Sequence, residues 1–158
     1  MSEASVRAFF ALHAPDVAII DQGVSTATVN EAAAALGVDP ARIAKTLSLR
    51  VGEAVVLVCV RGDARISNGK EKAALGAKPR MLAAEEVEAI TGHPVGGVCP
   101  FGLPSPLPVY CDISLRDFAT VFPAAGSRTA SVEMSPDQLA DLTGAQWIDI
   151  CNLPEQGN

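Results

Sequence analysis

The 158-residue sequence has no long apolar run, no paired cysteines and no excess of positive charge. No apolar run nears the ~20 residues needed to cross a bilayer. The longest, 54–60, is strand-length. The first residues, Met1, Ser2, Glu3 and Ala4, show no basic segment followed by an apolar one. No secretory leader is therefore expected, and the cytoplasm is the default location. The four cysteines, Cys59, Cys99, Cys111 and Cys151, form no Cys-x-x-Cys pair. Neither His13 nor His93 stands at metal-ligand spacing, so no metal and no cofactor are expected. Positive charge is also short: 12 Lys and Arg against 18 Asp and Glu leave a formal net charge of −6. That balance argues against a general nucleic-acid binder, which would show a broad basic face. Repeats, low-complexity tracts and linkers are missing too, so a single domain over 1–158 is expected.

What remains is a chain with 49% hydrophobic residues and 19% charged ones, long enough to bury a substantial core. Helical spacing of Val6, Phe9 and Phe10 predicts a helix over 5–12 that carries His13 at its end. Thr28 followed by Glu31 is a capping box, giving a helix over 29–36 that stops at Gly37. Asp39-Pro40 starts a short helix ending near Lys45. Alternation over 46–51, a turn at Gly52, and the apolar run 54–60 predict a hairpin. Further helices are expected over 68–75, capped by Asn68, over 83–90, and from Ser135 to a stop at Gly144. Short strands are expected at 18–20, 65–67, 109–113, 120–122, 130–134 and 147–150. Helices and strands without strict alternation indicate an α+β fold with a mixed, curved sheet.

The segment Gly92-His93-Pro94-Val95-Gly96-Gly97-Val98-Cys99-Pro100-Phe101-Gly102 holds four glycines and two prolines. Such a loop is shaped by its own backbone. It serves either as a tight connection or as a wall whose bare N–H groups approach a small ligand. Lys45 after a helix, and Ala124-Ala125-Gly126-Ser127-Arg128 before a strand, are its companions. Lys45 reads as a snorkelling surface lysine or as a cation aimed into a cleft. Cys99 would need a neighbouring base to act as a nucleophile, and His93 is the local candidate. Asp112 at a strand end reads as a cap for nearby amides. Arg61, Arg65, Lys70, Lys72, Lys78 and Arg80 cluster within twenty residues, either as a solvated face or as a local phosphate-contacting patch. No Ser-His-Asp order is convincing, since His13 lies on an amphipathic helix.

Lys45 in Ile43-Ala44-Lys45-Thr46-Leu47, the glycine loop, Cys111-Asp112-Ile113-Ser114-Leu115 and Ala125-Gly126-Ser127-Arg128, in that order, resemble the YbaK family. That family is similar to the editing (insertion) domain of bacterial prolyl-tRNA synthetase, and its characterised members are trans-acting aminoacyl-tRNA deacylases. The resemblance covers about residues 25–150. It implies a barrel-like mixed sheet flanked by helices, and a free-standing hydrolase acting on the acceptor end of a mischarged aminoacyl-tRNA. It makes Lys45 the key catalytic residue. Gly97, with the backbone N–H groups around it, is suited to meet the developing oxyanion. Thr46, Gly96, Val98, Cys99, Pro100, Phe101, Gly126 and Ser127 are the expected substrate-binding residues. Water is the expected attacking group, assisted by a ribose hydroxyl of the tRNA, without a covalent intermediate. An aminoacyl-tRNA synthetase is the other partner to consider. The alternatives are a non-catalytic tRNA- or synthetase-binding module on the same fold, and a cysteine hydrolase using Cys99. Thr46 stands where some relatives carry asparagine, so the substrate of those relatives does not transfer.

Overall fold

A computed structural model describes residues 2–154. It contains the helices α1 (Ser2–His13), α2 (Val29–Leu36), α3 (Lys70–Leu75), α4 (Ala84–Thr91) and α5 (Pro136–Thr143). The strands are β1 (Ile20–Asp21), β2 (Ile43–Val51), β3 (Ala54–Arg61), β4 (Arg65–Ile66), β5 (Arg80–Met81), β6 (Val109–Asp112), β7 (Phe122–Pro123), β8 (Ala130–Ser131), β9 (Gln146–Ile148) and β10 (Cys151–Asn152).

Local chemistry sets several boundaries. Thr28 Oγ1 accepts from Glu31 N at 3.1 Å and Glu31 Oε1 accepts from Thr28 N at 3.2 Å, which fixes the start of α2. Ser135 Oγ accepts from Gln138 N at 3.1 Å and starts α5. Asn68 does not cap α3; that cap is Gly69, which has no side chain to offer, and Ser67 Oγ accepts from Lys70 N at 3.4 Å. The helix expected to run to Lys45 is only a 3₁₀ turn, Pro40–Arg42, capped by Asp39. β2 begins at Ile43, so Lys45 is a strand residue. β5 was not foreseen, because two residues carry no readable period.

The main sheet runs β5-β2-β3-β6-β9, with β7 also paired to β2. β2 and β3 form the expected hairpin, antiparallel from Ala44↔Arg61 to Val51↔Ala54. β6 joins β3 in parallel and β9 joins β6 in parallel. The sheet is mixed and open. It does not close into the barrel the family resemblance suggested, because its outer members are two- and three-residue strands with no partner to meet.

One face of the hairpin packs Leu57 and Cys59 with Phe10, Phe101, Cys111, Leu115 and Leu139. The other packs Leu49, Val56, Val58 and Val60 with Ile150 and Cys151. α2 covers Ile43 and Phe122 through Ala32 and Ala33. Asp112 is buried, and its carboxylate accepts from Ser114 N at 2.9 Å and Ile150 N at 2.8 Å, a structural use of both oxygens.

On the edge of β2 away from β3, β7 pairs only with Ile43 and Ala44, and β5 only with Leu49 and Arg50. The interval between them has no strand beside it. The candidate site lies there.

Candidate active site at the free edge of a central strand

A cleft of about 190 Å³ opens along this interval. Ala44, Lys45, Thr46 and Ser48 of β2 form its floor, and Thr26, Ala27 and Thr28, leading into α2, form one wall. Val95, Gly96 and Val98 of the glycine loop form another, and Phe122 and Ala124 close an end. Gly96 has φ +93°, and a Cβ there would lie 2.8 Å from Ala27 Cβ. Only glycine lets the loop approach the α2 lead-in so closely. Lys45 is the only charged residue bordering the cleft among the described residues.

The register turns the Lys45 side chain to the Leu47 face of β2, opposite Ala44 and Thr46. Its Nζ donates to Ala64 O at 2.7 Å. Burial pulls its pKa below the usual lysine value; Cys151 and Asp63 push it back up and Arg65 adds to the fall. Ala64, Asp63 and Cys151 do not border the cleft, so the resting ammonium is anchored outside the lining. Thr46 Oγ1 lies 3.6 Å from Cys59 Sγ, toward the core.

The loop residues separate by direction. Gly96 and Val98 face the cleft, whereas Gly97, Cys99, Pro100 and Phe101 are buried and do not border it. The Gly97 N–H, expected to meet an oxyanion, closes a turn on Pro94 O at 2.9 Å. A Cβ on Gly97 would sit 2.8 Å from the Ser127 backbone, and Gly126 N donates to Gly97 O at 3.2 Å. Gly97 thus anchors the loop to the Gly126-Ser127 turn, which supports the cleft wall from behind. Among the described residues the N–H groups of Gly96 and Val98, two residues of the cleft wall, have no protein partner.

His93 organises the buried side of the loop. Its Nε2 lies 2.7 Å from Phe101 O, and its Nδ1 lies 2.6 Å from Ser2 Oγ. Ser2 Oγ also bonds Gly126 O, so the start of α1 ties the glycine loop to the Gly126 turn. A Cβ on Gly126 would meet Val6, and one on Gly102 would meet the Ser5 backbone, each at 2.8 Å. Cys99 Sγ is 3.5 Å from His93 Nε2, but the thiol is fully buried and its pKa is pushed up to about 12 by that burial. A nucleophile needs the opposite shift and an open approach. The geometry therefore argues against a Cys99–His93 hydrolase.

Sequence reasoning did not find Thr26, Ala27, Ser48, Met81, Val95 or Ser131 in the lining. Thr28 signalled itself only as a helix cap. The basic cluster is also smaller than its sequence density: Arg61 is 8% exposed and paired with Asp63 at 2.6 Å and Asp117 at 2.7 Å. Lys70 Nζ is paired with Asp149 at 3.1 Å.

Residues 24–142 match the aminoacyl-tRNA editing domain family. The chain is 45% identical over 153 residues to the uncharacterised protein YwhH of Bacillus subtilis, spanning 96% of this chain and 98% of that protein. It is 31% identical over 121 residues to a protein of Enterococcus faecalis named as a candidate Cys-tRNA(Pro)/Cys-tRNA(Cys) deacylase, EbsC, spanning 75% of this chain and 73% of that one. The crystal structure of a candidate trans-editing enzyme for prolyl-tRNA synthetase superposes with a TM-score of 0.88 at 32% identity, covering 96% of this chain and 97% of that one. With the open mixed sheet, the cleft and the glycine loop in place, the chain belongs to the aminoacyl-tRNA editing domain family.

Proposed function

We propose that this protein is a free-standing editing hydrolase that deacylates a mischarged aminoacyl-tRNA. The observation that carries this reading is the charge pattern of the cleft: a small lining of apolar and hydroxyl residues with no carboxylate, bordered by Lys45, whose ammonium rests on Ala64 O just outside it. Such a cleft suits a short aminoacyl group attached to an anionic nucleotide. The names of EbsC and of the trans-editing structure point to the same chemistry.

An aminoacyl ester is already activated, so the protein need only place it and stabilise charge. Water attacks the carbonyl carbon, the bond to the ribose oxygen breaks, and free amino acid and free tRNA result. The Gly96 and Val98 N–H groups meet the oxyanion, and a ribose hydroxyl of the tRNA helps to orient the water. The Lys45 ammonium leaves Ala64 O for an anionic group of the terminal nucleotide, a movement that its four-carbon stem permits. Burial favours this exchange, because a desolvated cation gains more from an anion than from a carbonyl.

The test is a deacylation panel across mischarged tRNAs with wild type and Lys45→Ala. Wild type should hydrolyse at least one member. Lys45→Ala should lose on the order of 10²-fold in rate with an unchanged melting curve, the scale of removing one preorganised electrostatic contact. No hydrolysis by wild type of any member would leave only a binding role.

A further inference from the structure

The β2 ladder shows which main-chain groups the cleft exposes. In an antiparallel pair, residues alternate between bonding the partner strand and turning away from it. Ser48 O accepts from Leu82 N at 3.1 Å, on the β5 side. Leu57, opposite Ser48, sends its N–H to Pro108 O at 3.0 Å, away from β2. Arg61, opposite Ala44, sends its N–H to Ser114 Oγ at 3.3 Å, also away from β2. Ala44, Thr46 and Ser48 therefore turn their N–H and C=O groups away from β3.

β7 covers Ala44, and Leu82 covers the carbonyl of Ser48. Thr46 stands between them. β7 ends at Pro123, and its pairing with β2 stops at Ala44. Neither the N–H nor the C=O of Thr46 has a partner among the described residues. Main-chain groups of a central strand are almost always paired, so this gap calls for a partner.

We propose that the aminoacyl group fills the gap as a one-residue β-bridge, with Thr46 C=O accepting from the substrate α-amino group and Thr46 N–H donating to the ester carbonyl oxygen. This rests on the editing reading above. An aminoacyl ester carries an α-N–H donor and a C=O acceptor with the spacing of a residue in a neighbouring strand, and that is the complement of Thr46. The lining holds no Asp or Glu, and the one charged residue that borders it is Lys45. With no carboxylate to meet the α-amino group, neutral oxygen must do so, and the Thr46 C=O is the main-chain oxygen of the β2 floor without a partner. The Thr46 side chain, turned to Cys59, takes no part. Main-chain recognition accepts any α-amino acid and leaves selection by side chain to the cleft walls.

Two measurements test this. The first compares the aminoacyl-tRNA that the panel shows to be hydrolysed with its desamino acyl-tRNA counterpart, each normalised to its spontaneous hydrolysis. Loss of the α-amino group should lower normalised kcat/KM at least 10-fold, because a site built around a donor penalises its absence. Equal values overturn the inference and leave the deacylase reading standing. The second is amide exchange in the 15N-labelled protein, free and with a 3′-deoxy-3′-aminoacylamido adenosine carrying the same amino acid. The free Thr46 amide should exchange at least 10-fold faster than those of Leu47 and Leu49, which bond β3, and should slow when the analogue is present. A Thr46 amide as protected as Leu47 in the free protein overturns the inference, as does unchanged exchange in a complex whose Gly96 and Val98 amides shift. If no aminoacyl-tRNA is hydrolysed at all, the editing reading itself fails.

Discussion

His93 has its two ring nitrogens committed to different elements, and proton arithmetic at that residue has a consequence for pH. Phe101 O can only accept, so Nε2 must carry the proton facing it. In the neutral ring Nδ1 is then an acceptor, and the one Ser2 hydroxyl proton is shared between it and Gly126 O. Burial lowers the His93 pKa and the bond to Phe101 O partly offsets that fall. The folded ring thus binds its proton less readily than the unfolded one, whose pKa is about 6.5. Stability from the neutral ring is fully present above that value and is lost as pH falls through it toward the folded pKa. Chemical unfolding followed from pH 8 to pH 5 should show stability declining below about pH 6.5, with a shallower decline in His93→Gln. An identical decline in the two proteins would place the titrating group elsewhere.

Lys45 and the glycine loop were legible as letters but not as directions. The sequence singled out Lys45, Gly96 and Val98, which border the cleft, together with Cys99, Pro100 and Phe101, which are buried away from it. In extended chain, neighbours point to opposite sides, so a motif read as a block mixes lining with core. Nothing in the sequence sets the phase. The phase comes from contacts far along the chain: Phe101 against Phe10 with ring centroids 4.7 Å apart, and Gly97 against Ser127.

At the scale of elements, the helices and the hairpin were readable because each carries a signal within a few residues of its own ends. The Thr28–Glu31 box and the Gly52 turn are local chemistry. β5, β7 and β8 have two residues each; β7 and β8 fall within or beside the strands expected at 120–122 and 130–134, whereas β5 was not expected, and tertiary pairing alone makes it a strand. The cleft depends on those short strands, since it exists only where β5 and β7 fail to meet along β2. α1 matters at this scale as well. It precedes residues 24–142 of the family match, yet it packs on Gly102 and Gly126 and bonds His93. Phe10 is 2% exposed in the same cluster. Phe10→Ala should therefore cost about 3–5 kcal/mol, the usual range for a buried phenylalanine. Deacylation should also fall at temperatures below the unfolding transition, because the loop loses its backing. A normal rate at such temperatures would show that α1 stabilises the fold without shaping the cleft.

For the whole molecule, charge bears on how the proposed tRNA substrate would be met. With a net charge of −6, Arg61 buried in ion pairs and Lys70 held by Asp149, the exposed basic residues of the cluster are Arg65, Lys72, Lys78 and Arg80. At ~0.7 counterions released per contact on single strands and ~0.9 on duplex, four contacts give a log–log salt slope no steeper than roughly −3 to −4. Filter binding across a salt series should show this shallow slope, and an acceptor-stem minihelix should be hydrolysed about as well as full-length tRNA. A slope near −8, or a minihelix that is bound but inert, would require a wider basic surface than this chain presents.

The four cysteines, described above as packing residues, also make the protein its own reporter of opening. All four are free and buried, three of them in the core that backs the glycine loop. A thiol reagent in solution meets none of those three sulfurs until that core parts, so their rate of modification counts excursions from the native state. Cys151, beside Lys45 on the other face of the hairpin, is 5% exposed. Mass spectrometry that resolves the four sulfurs would therefore time the opening of the two sides of the sheet separately, in unmodified protein and without denaturant.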